Sequence, residues 1–336
     1  MKIKTVLIIV LIALSITSIQ SYACTNYIIT KGASVDGSTM ISYAADSHIR
    51  YGELYFRPRG TWPAGSMVTL FDRGTNKPLG QIPQVAETYQ VIGFMNEHQV
   101  AIGETTFDGI EEMIDSTGVV DYGSLMFLAL QRSKTAREAI RVIAELVNQY
   151  GYASTGESFS IGDPNEVWIM EIMPKRTNLK YDKKSKKNIN VDKGAVWVAV
   201  RIPDGYVSSH ANQARIQTFQ LENLKTSITD KNFHLINNPE VEVIYSHDVI
   251  SYAKYHKYYN GEDKDFSFSD VYNPITFDGA RFCDARVWAF FNHINDDMGK
   301  YWDYAKGENL KNRMPLFIKP NRKLTPQDLQ SFKRDH

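Results

Sequence analysis

Cysteine is almost absent from the 336-residue chain: Cys24 and Cys283 are the only two, too few for a disulfide framework. A surplus of either charge is missing as well, since 38 Lys and Arg balance 38 Asp and Glu. A neutral chain lacks the basic excess that phosphate backbones demand, and a 43% apolar composition lacks the low hydrophobicity of a disordered one. Nucleic acid is not an expected partner. There is no Gly-x-Gly-x-x-Gly or Walker pattern to anchor a nucleotide, and the eight histidines include no i, i+4 pair beside a glutamate. Neither a metal nor any other cofactor is expected. No repeat or low-complexity linker marks a domain boundary, and no segment reaches the ~20 apolar residues that span a bilayer.

What is present begins with an address. Lys2 and Lys4 precede the apolar run Val6 to Ile16, which is followed by the mostly polar Thr17 to Gln20 and the small-residue site Ser21-Tyr22-Ala23. These are the three parts of a secretory signal peptide. Removing residues 1–23 leaves 36 basic against 38 acidic groups, a net charge near −2. The processed protein is expected to be secreted or periplasmic, with no stable membrane anchor.

Cleavage after Ala23 makes Cys24 the amino terminus. Two readings compete: a lipid-modified cysteine, or a nucleophile whose own α-amino group is its base. Lipoprotein signals place a Leu-like residue three positions before the cysteine, where this chain has Ser21. The nucleophile reading has physical content, because a free α-amine (pKa roughly 7.7–8.0) and a thiol (roughly 8.5) then sit within one residue, both near ambient pH. The amine accepts the thiol proton, the thiolate attacks a carbonyl carbon, and the ammonium returns a proton to the leaving amine.

Several stretches carry a resemblance. Cys24-Thr25-Asn26-Tyr27-Ile28-Ile29, Asp36-Gly37-Ser38-Thr39-Met40-Ile41 and Asp46-Ser47 open the pattern. It continues through Met95-Asn96-Glu97, Gly103-Glu104-Thr105-Thr106-Phe107, Asp121-Tyr122-Gly123-Ser124-Leu125, Gly156-Glu157-Ser158-Phe159-Ser160 and His210-Ala211-Asn212-Gln213-Ala214-Arg215. Together they resemble the bacterial cysteine dipeptidases of the N-terminal-nucleophile hydrolase superfamily, relatives of penicillin V acylases and bile-salt hydrolases. The resemblance covers most of residues 24–290. It implies an α+β fold, a four-layer αββα sandwich of two mainly antiparallel sheets between helix layers. It also implies hydrolysis of dipeptides or other small amides through a thioester on Cys24. Dipeptidases of this type continue well beyond where this chain stops, so residues 24–336 are expected to form one hydrolase domain short of the C-terminal part usual there. A homo-oligomer is left open. The alternatives are a linear-amide acylase and a non-catalytic, lipid-anchored binding protein.

Local patterns suit that fold. Tyr27 to Ile29 and Thr39 to Tyr43 read as a hairpin across a turn carrying Gly32, Asp36 and Gly37, and Gln90 to Met95 with Gln99 to Thr106 as a second. Asp121 to Arg132 reads as a helix. Thr135-Ala136-Arg137-Glu138 is a capping box ahead of a helix ending near Tyr150-Gly151. Ser158 to Ile161, Val167 to Ile172 and Val196 to Arg201 read as strands, and the lysine-rich 175–193 as a solvated hairpin tip or loop.

The resemblance also implies supporting roles. Asn212 matches a side-chain amide donor to the oxyanion. Arg281, in Ala280-Arg281-Phe282, matches a guanidinium that favours the thiolate. Asp46 matches the carboxylate that orients the terminal ammonium. Tyr43 stands where relatives often have an arginine, and Thr106 where acylase relatives often have an asparagine oxyanion donor; both are expected at the substrate. Cys283 has no papain-like context and reads as a buried structural thiol.

Overall fold

A computed structural model describes residues 23–46 and 52–334. The segment read as a signal peptide lies, except for Ala23, outside the described residues. In chain order the main elements are strands β1 (Cys24–Ile29), β2 (Met40–Ala45) and β3 (Ala101–Phe107), helices α1 (Tyr122–Arg132) and α2 (Ala136–Tyr150), and strands β4 (Gly156–Gly162), β5 (Val167–Pro174), β6 (Ala195–Arg201), β7 (Val207–His210) and β8 (Val243–Tyr245). Helices α3 (Val249–Tyr255) and α4 (Ala285–Asn292), strand β9 (Phe317–Ile318) and helix α5 (Pro326–Phe332) follow.

Two sheets result. The smaller runs β9-β7-β1-β2. The larger has nine strands and runs from Ser227–Thr229 through β8, β6, β5, β4 and β3 to the short strands Met95–Asn96, Val91–Ile92 and Phe56–Arg57. All pairings are antiparallel except that between Ser227–Thr229 and β8. Helices α1 and α2 pack on the outer face of the large sheet, the sheets pack on each other through β1, β2 and β3, and α4 packs on the outer face of the small one. The molecule is thus an α+β sandwich of sheets between helices, as expected.

Burial follows from the layering. Strands β1, β4 and β5 are buried along their whole length, which is what a strand covered on both faces requires. Ile140, Ile143 and Val147 of α2 meet Phe159, Trp168 and Trp197 in one core, and each such aliphatic side chain contributes about 1.5–3 kcal/mol when fully buried. A second core joins Tyr27 and Ile29 of β1 to Phe290 and Phe291 of α4, with the Tyr27 and Phe290 rings stacked at 4.2 Å.

Local expectations are met with informative differences. Asp121 and Thr135 cap α1 and α2 by accepting from the Ser124 and Glu138 N–H groups. The Glu138 carboxylate, however, turns to the Lys134 N–H at 2.7 Å, so the reciprocal half of the capping box is not made. The lysine-rich stretch is a hairpin of Leu179–Asp182 with Lys187–Asn190. The pair expected over 90–106 is one long strand, β3, facing two-residue strands, because Gly93 at φ 56° and Gln99 at φ 62° bend the chain sharply there.

Candidate functional site

The site lies where β1 begins, between the sheets. Register sets Cys24 opposite Ala45 and Asn26 opposite Tyr43 on β2. On the other side Asn26 pairs with His210 of β7. Chain reversal after β7 therefore brings Asn212 to the leading end of β1. The close approach of the sheets depends on Gly103: a Cβ there would lie 2.8 Å from the Asn26 side chain and 3.1 Å from the Tyr43 Cβ.

Asn212 adopts φ 58°, the left-handed region that asparagine tolerates better than most residues. Its loop is pinned on the downstream side, where Asn273 Oδ1 accepts from the Ala214 N–H and both Glu171 oxygens accept from the Arg215 and Ile216 N–H groups. So held, Asn212 Oδ1 accepts from the Cys24 nitrogen at 2.8 Å and from Arg286 Nη2 at 2.9 Å. Its Nδ2 donates to the Thr106 carbonyl at 2.6 Å, tying the loop to β3.

Arg286, on α4, is the guanidinium of this site. It donates to the Cys24 carbonyl, to Thr25 Oγ1 at 2.8 Å and to the Ala211 carbonyl at 3.2 Å, as well as to Asn212. Arg281 is not there: it is exposed on the π-helical turn Gly279–Asp284 that precedes α4. This segment carries Ala-Arg twice within seven residues, at 280–281 and 285–286, and the helix face packed on β1 presents the second.

Cys24 is 6% exposed. Burial and then the nearby Glu104 carboxylate push its thiol up to about 12; the Asp46 backbone N–H opposes the rise by hydrogen bonding to sulfur, the Asp46 carboxylate adds to it, and Arg286 opposes it. Asp46 therefore lies beside the thiol, itself exposed at the end of β2. Lys333, just past α5, donates to the Thr25 carbonyl and sits 4.4 Å from the Tyr27 ring centroid. Burial lowers its ammonium to about 8.

Tyr43 and Thr106 do not present free hydroxyls. The Tyr43 hydroxyl donates to Glu104 Oε1 and the Thr106 hydroxyl to Glu157 Oε2 at 3.1 Å. These two glutamates, 2% and 0% exposed, are among the residues that sequence reasoning missed, as are Arg286 and Lys333. Both glutamates stood in the stretches that carried the resemblance, yet nothing local distinguishes a buried strand glutamate from a surface one. His210 was also passed over as one scattered histidine. It is fully buried, with Nδ1 at 2.7 Å from Thr105 Oγ1 and Nε2 at 2.6 Å from Ser160 Oγ, and burial lowers it to about 3, so the ring is neutral.

Cys283, expected to be a buried structural thiol, is only half-buried; it lies on the same turn as Arg281, three residues before Arg286, and while burial raises its thiol the Arg286 guanidinium, hydrogen-bonded to it, opposes the rise. Among the described residues no group of three or more His, Cys, Asp or Glu converges to hold a metal, and no helix is long and apolar enough to cross a membrane.

Known dipeptidases are similar to this chain in sequence. A "Probable dipeptidase" of Latilactobacillus sakei is 24% identical over 95% of this chain and 61% of its own length. A "Probable dipeptidase B" of Streptococcus pyogenes serotype M1 is 27% identical over 83% of this chain and 52% of its own, and a "Dipeptidase" of Bifidobacterium longum 24% identical over 94% and 58%. The chain thus spans between about half and three-fifths of the length of these relatives. The family model described as peptidase family C69 matches residues 57–336, and the chain belongs to that family.

Proposed function

We propose that this chain is a secreted cysteine dipeptidase that hydrolyses short peptides through a thioester on Cys24, with the α-amino group of Cys24 as general base after removal of residues 1–23. The observation that carries the reading is the convergence on Cys24 of Asn212 Oδ1, which accepts from its nitrogen, the Asp46 N–H, which bonds its sulfur, and Arg286, which bonds its carbonyl and Asn212 and favours the thiolate.

While Ala23 is attached, the Cys24 nitrogen is an amide with no basicity, and the buried thiol faces Glu104 without a compensating charge in its own residue. Cleavage converts that nitrogen into an amine at the same place. Asn212 Oδ1 then aims it, and once the amine has taken the thiol proton the ammonium stands beside the thiolate and stabilises it. The thiolate attacks the substrate carbonyl carbon, giving a tetrahedral oxyanion. The second N–H of Asn212 Nδ2 is the side-chain donor left for that oxygen, since the Thr106 hydroxyl is committed to Glu157. Collapse breaks the C–N bond, the ammonium protonates the leaving amine, and the enzyme is left as a thioester. Water, deprotonated by the same amine, attacks the thioester and releases the acid and the thiol.

The dipeptidase names of the relatives favour this substrate over the simple amides of an acylase. The test is hydrolysis of a dipeptide panel and of N-acyl amino acids by the processed protein and its Cys24→Ser variant. Turnover of dipeptides lost in the variant is expected. Turnover of only N-acyl amino acids would make it an acylase, and turnover surviving the substitution would remove Cys24 from the chemistry.

A further inference from the structure

Beneath Cys24 lie two carboxyl groups that the mechanism above does not use. Glu157 is the cross-strand partner of Thr106, and Glu104 is two residues before Thr106, so both point from the same face of β3 and β4 toward the small sheet. One oxygen of each is satisfied by a hydroxyl, Glu104 Oε1 by Tyr43 and Glu157 Oε2 by Thr106. The other two, Glu104 Oε2 and Glu157 Oε1, are sealed from solvent and accept no hydrogen bond from any donor among the described residues. Among the described residues no Lys, Arg or His bonds either carboxyl.

Two carboxylates buried side by side with no cation cannot both be ionised, and a proton between their facing oxygens turns the repulsion into a hydrogen bond. We propose that Glu104 and Glu157 share one proton, and that this pair positions the nucleophile: it fixes Thr106, whose carbonyl holds the Asn212 amide that in turn holds the Cys24 nitrogen. They are positioning residues, not catalytic ones, since neither touches the reacting atoms. The inference rests on the reading of Cys24 as nucleophile.

The same arrangement couples the pair to the thiol. Burial first, and then the Glu104 charge, hold the Glu157 carboxyl well above the ordinary carboxylate range, the direction that keeps a proton on the pair. The titratable groups facing the pair are Cys24 from β1, Tyr43 from β2 and Tyr152 from the segment after α2, with Tyr122 acting on Tyr43 and Asp121 on Tyr152. Asp46, Arg286 and Lys333 act on the thiol itself. Loss of the shared proton in alkali places a second negative charge under the thiol and makes the thiolate harder to form.

The test is the rate of Cys24 alkylation by iodoacetamide, assigned by mass spectrometry to separate it from Cys283, across about pH 6 to 10 in processed wild type, Glu157→Gln, Glu104→Gln and the double variant. Either glutamine keeps the donor-acceptor contact and holds the pair at a single negative charge. Both single variants are expected to match wild type at the acid end and to exceed it by about tenfold at the alkaline end, the effect of roughly one pKa unit on the thiol. The double variant, with no charge, should be faster throughout. Single variants that parallel wild type in alkali would overturn the proposal. So would single variants already faster at the acid end, which would mean that wild type carries two charges and no shared proton. Thermal unfolding identifies a variant that has failed to fold, in which case the other single variant decides. The alkylation profile is readable whether or not Cys24→Ser abolishes turnover, so failure of the pair and failure of the nucleophile reading are distinct results.

Discussion

Asn212 Oδ1 accepts a hydrogen bond from the Cys24 nitrogen at 2.8 Å across 188 residues of sequence. The contact is made from a left-handed backbone, φ 58°, and is locked by Nδ2 on the Thr106 carbonyl, so the amide cannot flip without losing bonds at both ends. What sits beside Cys24 is therefore an acceptor aimed at its nitrogen, the arrangement that would orient the proposed amine.

Substituting Asn212 separates strain from function. Asn212→Ala removes the amide and leaves a Cβ residue at positive φ, a strain of about 1–3 kcal/mol; Asn212→Gly removes the amide without the strain. Both should lose roughly 100-fold or more in kcat/KM, the scale of a lost oxyanion or orienting donor. Only the alanine variant should melt markedly earlier. An active glycine variant would contradict the role of the amide.

Arg286 and Arg281 offer a paired test. Arg286→Ala removes a charged donor from Cys24, Thr25, Ala211 and Asn212 together, and steady-state kinetics should show a fall of about 10- to 100-fold, corresponding to the ~1.5–3 kcal/mol of a charged hydrogen bond. Arg281→Ala, at an exposed position, should stay within about twofold, and its stability within about 0.5 kcal/mol.

Legibility from sequence divides along the same line. Cys24, Asp46 and Asn212 were identified from short motifs and do converge. The arginine was misplaced because a two-residue motif repeats five positions on, and only the packing of α4 on β1 selects between the copies. Glu104, Glu157 and His210 were invisible for another reason. Their meaning comes from the second sheet covering the first, and that cover is made by strands roughly 60 to 130 residues away in sequence. The outlines of α1, α2 and the β1–β2 hairpin were legible because caps and alternation are local; the short strands facing β3 were overextended because two positive-φ bends override a continuous apolar pattern.

The buried His210 predicts acid sensitivity. Its ordinary value is 6.5 and its folded value about 3, so below pH 6.5 the unfolded chain takes up a proton that the folded protein refuses. Stability is complete above 6.5 and falls as pH drops toward 3. Urea titrations between those limits should show a slope reduced by one proton in His210→Asn, even though that variant is less stable overall. An unchanged slope would mean that the folded ring ionises normally.

Thr106 acts through two different atoms. Thr106→Val keeps the carbonyl that holds Asn212 and removes the hydroxyl on Glu157 Oε2, leaving a buried carboxyl oxygen bare. Chemical denaturation should report a loss of about 1–3 kcal/mol. The loss in kcat/KM should be smaller than that of Asn212→Gly, since the nucleophile's own holder is retained.

The central claim is that the base is the α-amino group of Cys24. The most direct measurement compares dipeptide hydrolysis by two homogeneous preparations, verified by intact mass and N-terminal sequencing: one beginning at Cys24, the other retaining Ala23 as a single extra residue. The thiol, Arg286 and Asn212 are the same in both. The account predicts turnover only in the protein that begins at Cys24, with the Ala23 form reduced by about 100-fold or more, the scale of a lost general base. Equal turnover by the two would show that a separate group deprotonates the thiol and would contradict the account.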